Sequence, residues 1–309
     1  MIRIFKTFGG YVEIPNVEKD CWVNVTKPTP EEINRLINEF QLPADDINDI
    51  LDADERSRVD FEDEWSLVIM RIPVEVDNNG VPFQTLPLGI FVTANFTLTL
   101  CLQDNEVLPI GQPSPFREHY REITDSFNFI LRLFLRSGII FLRYLKHINQ
   151  MTASIEQDLE ESIKNSELNK LLKMEKCLVY FITSIKANEM VLAKLRSSKK
   201  IISEINEDLL EDAVIENKQA LEMAQIYSDI QSGMMDAFAS VISNNLNVVM
   251  KQLTLISIIL MIPTLIASIF GMNVPNLMER SVLAMPSILA GSLILSVIGV
   301  FLFRKRQWF

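Results

Sequence analysis

Two stretches near the C-terminus constrain this chain more than any other feature. Leu253–Phe270 and the 21 residues Leu283–Phe303 contain no charged side chain. At about 1.5 Å per residue, each can cross a hydrocarbon layer of roughly 30 Å, the first with help from uncharged neighbours. Everything before them is charged and patterned like a soluble protein. Phe270-Gly271-Met272-Asn273 lies between the two segments. The expectation is a large soluble body followed by two membrane spans joined by a short polar turn.

Charge and composition narrow the function. The net charge of −11 over 309 residues argues against nucleic acid, because a phosphate-binding surface needs clustered Lys and Arg. It suits a body that attracts cations. Cys21, Cys101 and Cys177 are far apart and form neither a disulfide framework nor a C-x-x-C site. They read as thiols in a reducing compartment. With two histidines, His119 and His147, and no Cys near either, a His-based zinc site is not expected. The chain carries no Walker A loop, nucleophile elbow or metal triad, so it does not read as an enzyme, and no organic cofactor is expected.

The flanks orient the spans. Met1-Ile2-Arg3-Ile4-Phe5-Lys6 lacks a long apolar run, so the N-terminal body is expected to stay in the cytoplasm. Arg304-Lys305-Arg306 directly follows the second span, with Trp308 at interfacial depth. Positive residues stay inside, so both termini are expected in the cytoplasm and Gly271–Val282 outside, in a multi-pass protein of the cell membrane.

The expected order is an α/β domain over 1–120, a long helical hairpin over 121–203, and a stalk helix over 204–272 that continues into the first span. An external loop over 273–282, a second span over 283–303 and a basic tail over 304–309 complete it. In the first part, Trp22-Val23-Asn24-Val25 alternates, and Ser66–Ile72 is apolar and partly β-branched. Leu88–Val92 and Phe96–Leu100 flank Thr93-Ala94-Asn95 as a hairpin. Thr29-Pro30-Glu31-Glu32 is a capping box with Pro at the first helical position, opening a helix to about Phe40. Asp45 and Asp46 open another. Asp77-Asn78-Asn79-Gly80 reads as a turn, and Pro109–Pro115 as a linker. The sheet is expected to be mostly antiparallel or mixed. No proline interrupts the chain between Pro115 and Pro263, and apolar residues recur at three and four positions. Breaks at Asn165-Ser166 and Ser197-Ser198 divide this region into three long helices. The last, about 65 residues, is too long to bury itself in a monomer of this size and needs sister helices.

On that last helix, polar and small residues fall at Asp236, Ser240, Ser243, Asn247, Met250, Thr254, Ser257, Met261, Thr264 and Ser268. The intervals alternate between four and three, so the side chains share one face. Two readings compete. Ser and Thr stripes act as interhelical glue in membranes. Alternatively, several such helices with the stripe inward enclose a narrow polar channel. Asn247 and Asp236 on the same line favour water. Met250 with Leu253 would then place an apolar ring near the cytoplasmic mouth, able to gate by dewetting. Pro263 is tolerated within a span.

Gly271-Met272-Asn273 at the end of the first of two C-terminal spans resembles the signature of the CorA magnesium transporters. Phe270 before it and the basic tail with Trp308 after it fit the same pattern. Ser232-Gly233-Met234-Met235-Asp236 through Asn247, and Met261-Ile262-Pro263-Thr264, are similar to the family's stalk and pore helix. Asp46–Asp52 with Arg56 and Val59 resembles its N-terminal domain. The resemblance implies a funnel-shaped homopentamer in the lipid bilayer, an α/β cytoplasmic domain followed by long helices, and a central pore made by the first span. It implies Mg²⁺ as both the transported and the regulatory ion. Gly271, Met272 and Asn273 would form the selectivity filter, and Asn247, Met250, Leu253, Thr254, Ser257, Met261, Thr264 and Ser268 would line the pore. Asp236 would hold a regulatory cation between protomers, with Glu75 or Asp77 as its partner. The loop Val274–Arg280 departs from the family: its acidic segment is reduced to Glu279.

Mg²⁺ sheds water reluctantly. A pore that recognises the hydrated ion needs acceptors for the protons of its bound water, and the Asn273 amide oxygen is an uncharged acceptor. The bland alternatives are a helix-capping amide at Asn273 and a solvated carboxylate at Asp236. Rival functions are Co²⁺, Ni²⁺ or Zn²⁺ transport, which the scarcity of soft ligands disfavours, and a membrane-anchored sensor that conducts nothing.

Overall fold

The computed structural model describes all residues except 79, 122, 162–164, 199–204, 273–283 and 306–309. The chain divides into two compact units, Met1–Gly233 and Met234–Phe309.

The first unit is built on a six-stranded sheet. Its strands are β1 (Ile2–Phe5), β2 (Cys21–Thr26), β3 (Arg58–Phe61), β4 (Trp65–Asn78), β5 (Val81–Thr93) and β6 (Phe96–Cys101). The spatial order is β1-β2-β6-β5-β4-β3. β2 and β6 pair in parallel and the other neighbours are antiparallel, so the mixed sheet expected from the sequence is present. The hairpin around Thr93-Ala94-Asn95 joins β5 to β6, and the Thr93 hydroxyl accepts from Phe96 N–H at 3.0 Å. Asp77 and Asn78 belong to β4 rather than to a four-residue turn. Asn78 pairs with Val81, and Gly80 takes a left-handed φ of +81° that a side chain would resist. Asn79 lies outside the described residues. β1 and β3 are edge strands of four residues each, too short for a period to register in the sequence.

The alternation at Trp22–Val25 does not mark a solvent face, because all six residues of β2 are buried. Helices cover both sides of this strand. Val23 and Val25 pack with Leu36 of α1 (Pro30–Asn38) and with Ile47 and Ile50 of α2 (Ala44–Ile50). Trp22 meets Phe129 of α4 (Ser126–Glu161) edge-on at 5.3 Å, and its indole N–H donates to Thr99 Oγ1 at 3.0 Å. The capping box forms as expected. Thr29 Oγ1 accepts from Glu32 N–H and Glu32 Oε2 from Thr29 N–H. Glu32 also accepts from Ile2 N–H at 2.9 Å and pairs with the terminal amine at 3.0 Å. Burial alone would raise the Glu32 carboxyl, but these donors outweigh it and hold it below the usual carboxylate range.

The segment read as a linker already contains the start of α3 (Ser114–Arg121). Beyond it come α4, α5 (Asn165–Ser197) and α6 (Glu207–Phe270), the three long helices the sequence indicates. The expected start of α6 at 204 lies outside the described residues. Buried amides fasten this region together. β3 stops pairing at Arg58 opposite Ile69, so the main chain of Arg71, two residues further along β4, has no strand on that side, its β5 neighbour Pro87 lying on the other. Asn188 of α5 takes the strand's place: its Oδ1 accepts from Arg71 N–H at 2.9 Å and its Nδ2 donates to Arg71 O at 2.8 Å. On α6, Asn217 and Gln231 donate to Ile185 O and Leu171 O of α5 at 3.2 and 2.6 Å. Each removes a buried polar group that would otherwise cost about 1–3 kcal/mol.

The second unit holds α6 from Met234 onward and α7 (Ala284–Lys305). Both helices are long and apolar enough to cross a membrane. They meet through a seam of small residues on α7. Ser292 and Ser296 are buried, and the position a Cβ would take at Gly299 is 3.7 Å from Ile262 Cδ1. Small residues let helices approach closely where lipid provides no hydrophobic drive between them.

Candidate functional site

The polar line on α6 is a single exposed face. Asp236, Ser240, Ser243, Asn247, Met250, Thr254, Ser257, Met261, Thr264 and Ser268 are all exposed, as is Leu253. The residues that approach α7 lie elsewhere: Leu255 is buried, Ile259 O receives a bond from Ser296, and Ile262 reaches Gly299. At about 100° per residue, these positions are centred roughly 150° around the helix from the stripe. The stripe therefore takes no part in holding α7, and the small-residue glue within this unit comes from α7 instead.

Four of the six hydroxyls on the stripe have a common orientation. Thr254 Oγ1 donates to Met250 O, Ser257 Oγ to Leu253 O and Thr264 Oγ1 to Leu260 O, at 2.8–2.9 Å. Ser240 Oγ donates to Asp236 O at 3.0 Å. In these four the hydroxyl proton is engaged by a carbonyl one turn back, so their oxygen lone pairs are what the face presents. Such a line offers acceptors to the protons of a cation's water shell.

α6 ends at Phe270. Gly271 N–H still bonds Ala267 O at 2.9 Å, and Met272 N–H reaches Ile269 O at 3.4 Å. A Cβ at Gly271 would sit 3.2 Å from the Ala267 carbonyl oxygen. Gly271 does not use the left-handed conformation, so its role at this end is close approach rather than a left-handed cap. Asn273 lies outside the described residues, as do Glu279 and Trp308.

Asp236 is an exposed residue of the second unit, and Glu75 an exposed residue of β4 in the first. Asp77 is the penultimate residue of the same strand, with its side chain outside the described part. Among the described residues, no group of three or more His, Cys, Asp or Glu side chains is placed to hold a metal ion. An acidic cluster around β3 is closed by a cation of its own. Arg58 bonds Asp46, Asp49 and Asp60 at 3.0, 2.8 and 2.8 Å and also pairs with Glu55. Burial would lower the Arg58 guanidinium, and its carboxylate partners raise it instead. Burial likewise lifts Asp46 above the ordinary range despite that partner.

A cleft of about 500 Å³ beside β4 and α5 is lined by Arg71, Arg56, Lys186 and Tyr180. The Arg71 guanidinium is engaged by the carbonyls of Ala53, Glu55 and Thr85 and the hydroxyls of Thr85 and Ser184. These neutral acceptors leave it no clear fork for an anion. The three cysteines are buried thiols, and His147 packs edge-on against Phe83.

Sequence reasoning missed the α7 seam. Its signal was present as Ser292, Ser296 and Gly299 at intervals of four and three within an otherwise large-residue span.

A family model described as "CorA-like Mg2+ transporter protein" matches residues 18–306. The cobalt/magnesium transport protein CorA of Methanocaldococcus jannaschii is 27% identical over 302 residues, covering 93% of this chain and 90% of that protein. The cobalt/magnesium transport protein CorA of Thermotoga maritima is 24% identical, covering 99% and 89%. The complete structure of the CorA magnesium transporter from M. jannaschii superimposes with a TM-score of 0.82 at 21% identity, covering 100% of this chain and 99% of that one.

Proposed function

This chain belongs to the CorA-like Mg²⁺ transporter family, and on that premise we propose that it is a passive divalent-cation channel that takes up Mg²⁺ across the cell membrane. The observation that carries the reading is the exposed acceptor line from Asn247 to Ser268, on the face of α6 turned away from α7. Five chains, each turning this line inward, would enclose a pore that a hydrated cation can enter without losing its shell. The exposed Met250 and Leu253 would form its apolar constriction. Asn273 amides from each protomer would hold the ion's waters at the outer mouth, with Gly271 and Met272 setting the approach. Both termini lie in the cytoplasm in this reading.

The driving force is the membrane potential. One divalent ion moving inward gains about 4.6 kcal/mol per 100 mV, at about 2.3 per charge. Closure is assigned to internal Mg²⁺ bridging Asp236 to an acid of the neighbouring protomer, Glu75 or Asp77. The ion acts by binding the closed state better than the open one. Co²⁺ uptake is the second reading, supported by the two similar proteins described as cobalt/magnesium transport proteins.

The test is ion flux into proteoliposomes holding the purified protein, with Mg²⁺, Co²⁺, Ni²⁺ and Zn²⁺ compared at matched potential. Mg²⁺ entry that rises with inside-negative potential is expected. Preferred entry of a softer ion would replace the substrate. No entry of any of them would leave a membrane-anchored sensor.

A further inference from the structure

Pro263 lies within α6 and has no N–H, so the carbonyl four residues back, Ile259 O, loses its helical donor. In hydrocarbon an unbonded carbonyl costs several kcal/mol, and neighbouring helices can supply the missing donor. Here a donor is at hand. Ser296 Oγ of α7 lies 3.5 Å from Ile259 O and donates to it. Ser240, Thr254, Ser257 and Thr264 each bond a carbonyl of their own helix, and so does Ser292, to Leu289 O at 2.9 Å. Ser296 instead crosses to α6. It is buried in the seam, where water cannot compete for the bond.

We infer that Ser296 replaces the amide that Pro263 removes, and that this joint positions α6 across its proline break. α7 is then more than a second anchor. By holding Ile259 O, it fixes the angle between the part of the stripe that ends at Ser257 and the part that begins with Thr264. Ser296 acts through Ile259 and touches no ion, so it is a positioning residue.

A double-mutant cycle on the full-length protein in lipid nanodiscs tests this. Ser296→Ala should lower the folded-to-unfolded ratio about threefold, the typical worth of an interhelical hydroxyl bond. In a Pro263→Ala background, where an amide again serves Ile259 O, the same change should cost nothing. Ser296→Thr should restore the loss. Pro263→Leu also carries an amide and serves if Pro263→Ala fails to assemble. An equal loss in both backgrounds would make Ser296 a packing residue, and no loss in either would remove the bond; both results overturn the joint.

The positioning claim rests on the reading of α6 as the conducting helix and has its own readout. Mg²⁺ uptake by proteoliposomes should fall by a similar factor in Ser296→Ala and be insensitive to that change in the Pro263→Ala background. Stability coupling with additive uptake would overturn the positioning role. Stability coupling in a protein that passes no ion at all would overturn the transport reading and leave the joint standing.

Discussion

Among the described residues, Met1–Gly233 and Met234–Phe309 differ in what they bury and in what they leave exposed. The first unit buries Trp22, Phe91, Phe129, Phe134, Phe141 and Phe181 almost completely. Where the β4 edge leaves the Arg71 main chain without a strand partner, the buried Asn188 amide is inserted, and Gln231 adds a buried bond to α5. The second unit exposes its large side chains: Leu260 and Met261 at 64%, Leu293 and Phe301 at 67%. Ser240, Thr254, Ser257 and Thr264 fold their hydroxyls back onto their own helix, while Ser296 crosses to the other. Exposed apolar surface on this scale marks a lipid or protein contact. The first unit can therefore complete its core within one chain. The second has a closed backbone and open side chains, and only hydrocarbon or sister helices can complete it.

The largest expected effect separates ion passage from folding. Asn273→Ala should abolish selective Mg²⁺ uptake, by about a hundredfold if each amide of the ring contributes a fraction of a hydrogen bond's 0.5–1.5 kcal/mol. Assembly should be intact. Wild-type flux and ion ranking in a correctly assembled variant would sink the filter assignment.

Asn188→Ala probes the other unit. It strips partners from the Arg71 N–H and C=O and from the Ser57 hydroxyl, and should destabilise by about 3 kcal/mol. Denaturant unfolding of the full-length protein measures this. A loss under 1 kcal/mol would mean that the sheet edge is satisfied without α5.

Cysteines along α6, in a background lacking the three native ones, sharpen the comparison within the membrane part. Positions 257, 261, 264 and 268 should react with water-soluble thiol reagents about tenfold faster than 259 and 266 on the α7 side, since a thiol reacts as its hydrated thiolate. Positions 256 and 260, toward lipid or sister helices, should also be slow. Equal rates on all faces would favour interhelical glue over a pore.

Asp236→Ala should shift the internal Mg²⁺ needed for closure upward about fivefold, the low end of coupling energies of about 1–3 kcal/mol. Current recorded against stepped internal Mg²⁺ decides it. An unmoved inhibition curve would return Asp236 to the status of a solvated carboxylate.

The smallest effect concerns a half-exposed charge of the first unit. Burial would raise the Glu106 carboxyl, but Arg143 at 2.5 Å and the Tyr144 hydroxyl at 3.1 Å outweigh it and hold it below its usual range. A depressed carboxylate stabilises the fold above its unfolded-state pKa and loses that contribution as pH falls through the folded value. Glu106→Gln should therefore lower stability by only about 0.5 kcal/mol near neutrality, given solvent screening. The difference should close in acid, below the ordinary glutamate pKa. A gap that is constant with pH would point to packing rather than charge.

The sequence by itself determined the two apolar spans, the three long helices, the Thr29 capping box, the β5–β6 hairpin and the α6 stripe. Each is a local signal: a run of apolar residues, a 3.6-residue period or a turn residue at fixed spacing records its own structure. Tertiary structure alone decided the rest. The alternation at Trp22–Val25 suits a half-exposed strand, and only the helices on both faces of the sheet bury all of it. Nothing local in Asn188 announces that it completes a sheet edge 117 residues away. Likewise, nothing local in the Ser/Thr stripe tells that α7 packs on the opposite face of α6, with Ser296 bonded to Ile259 O, the carbonyl four residues before Pro263. A periodic pattern shows that a face exists. What that face meets depends on contacts between residues far apart in the chain, which no local period records.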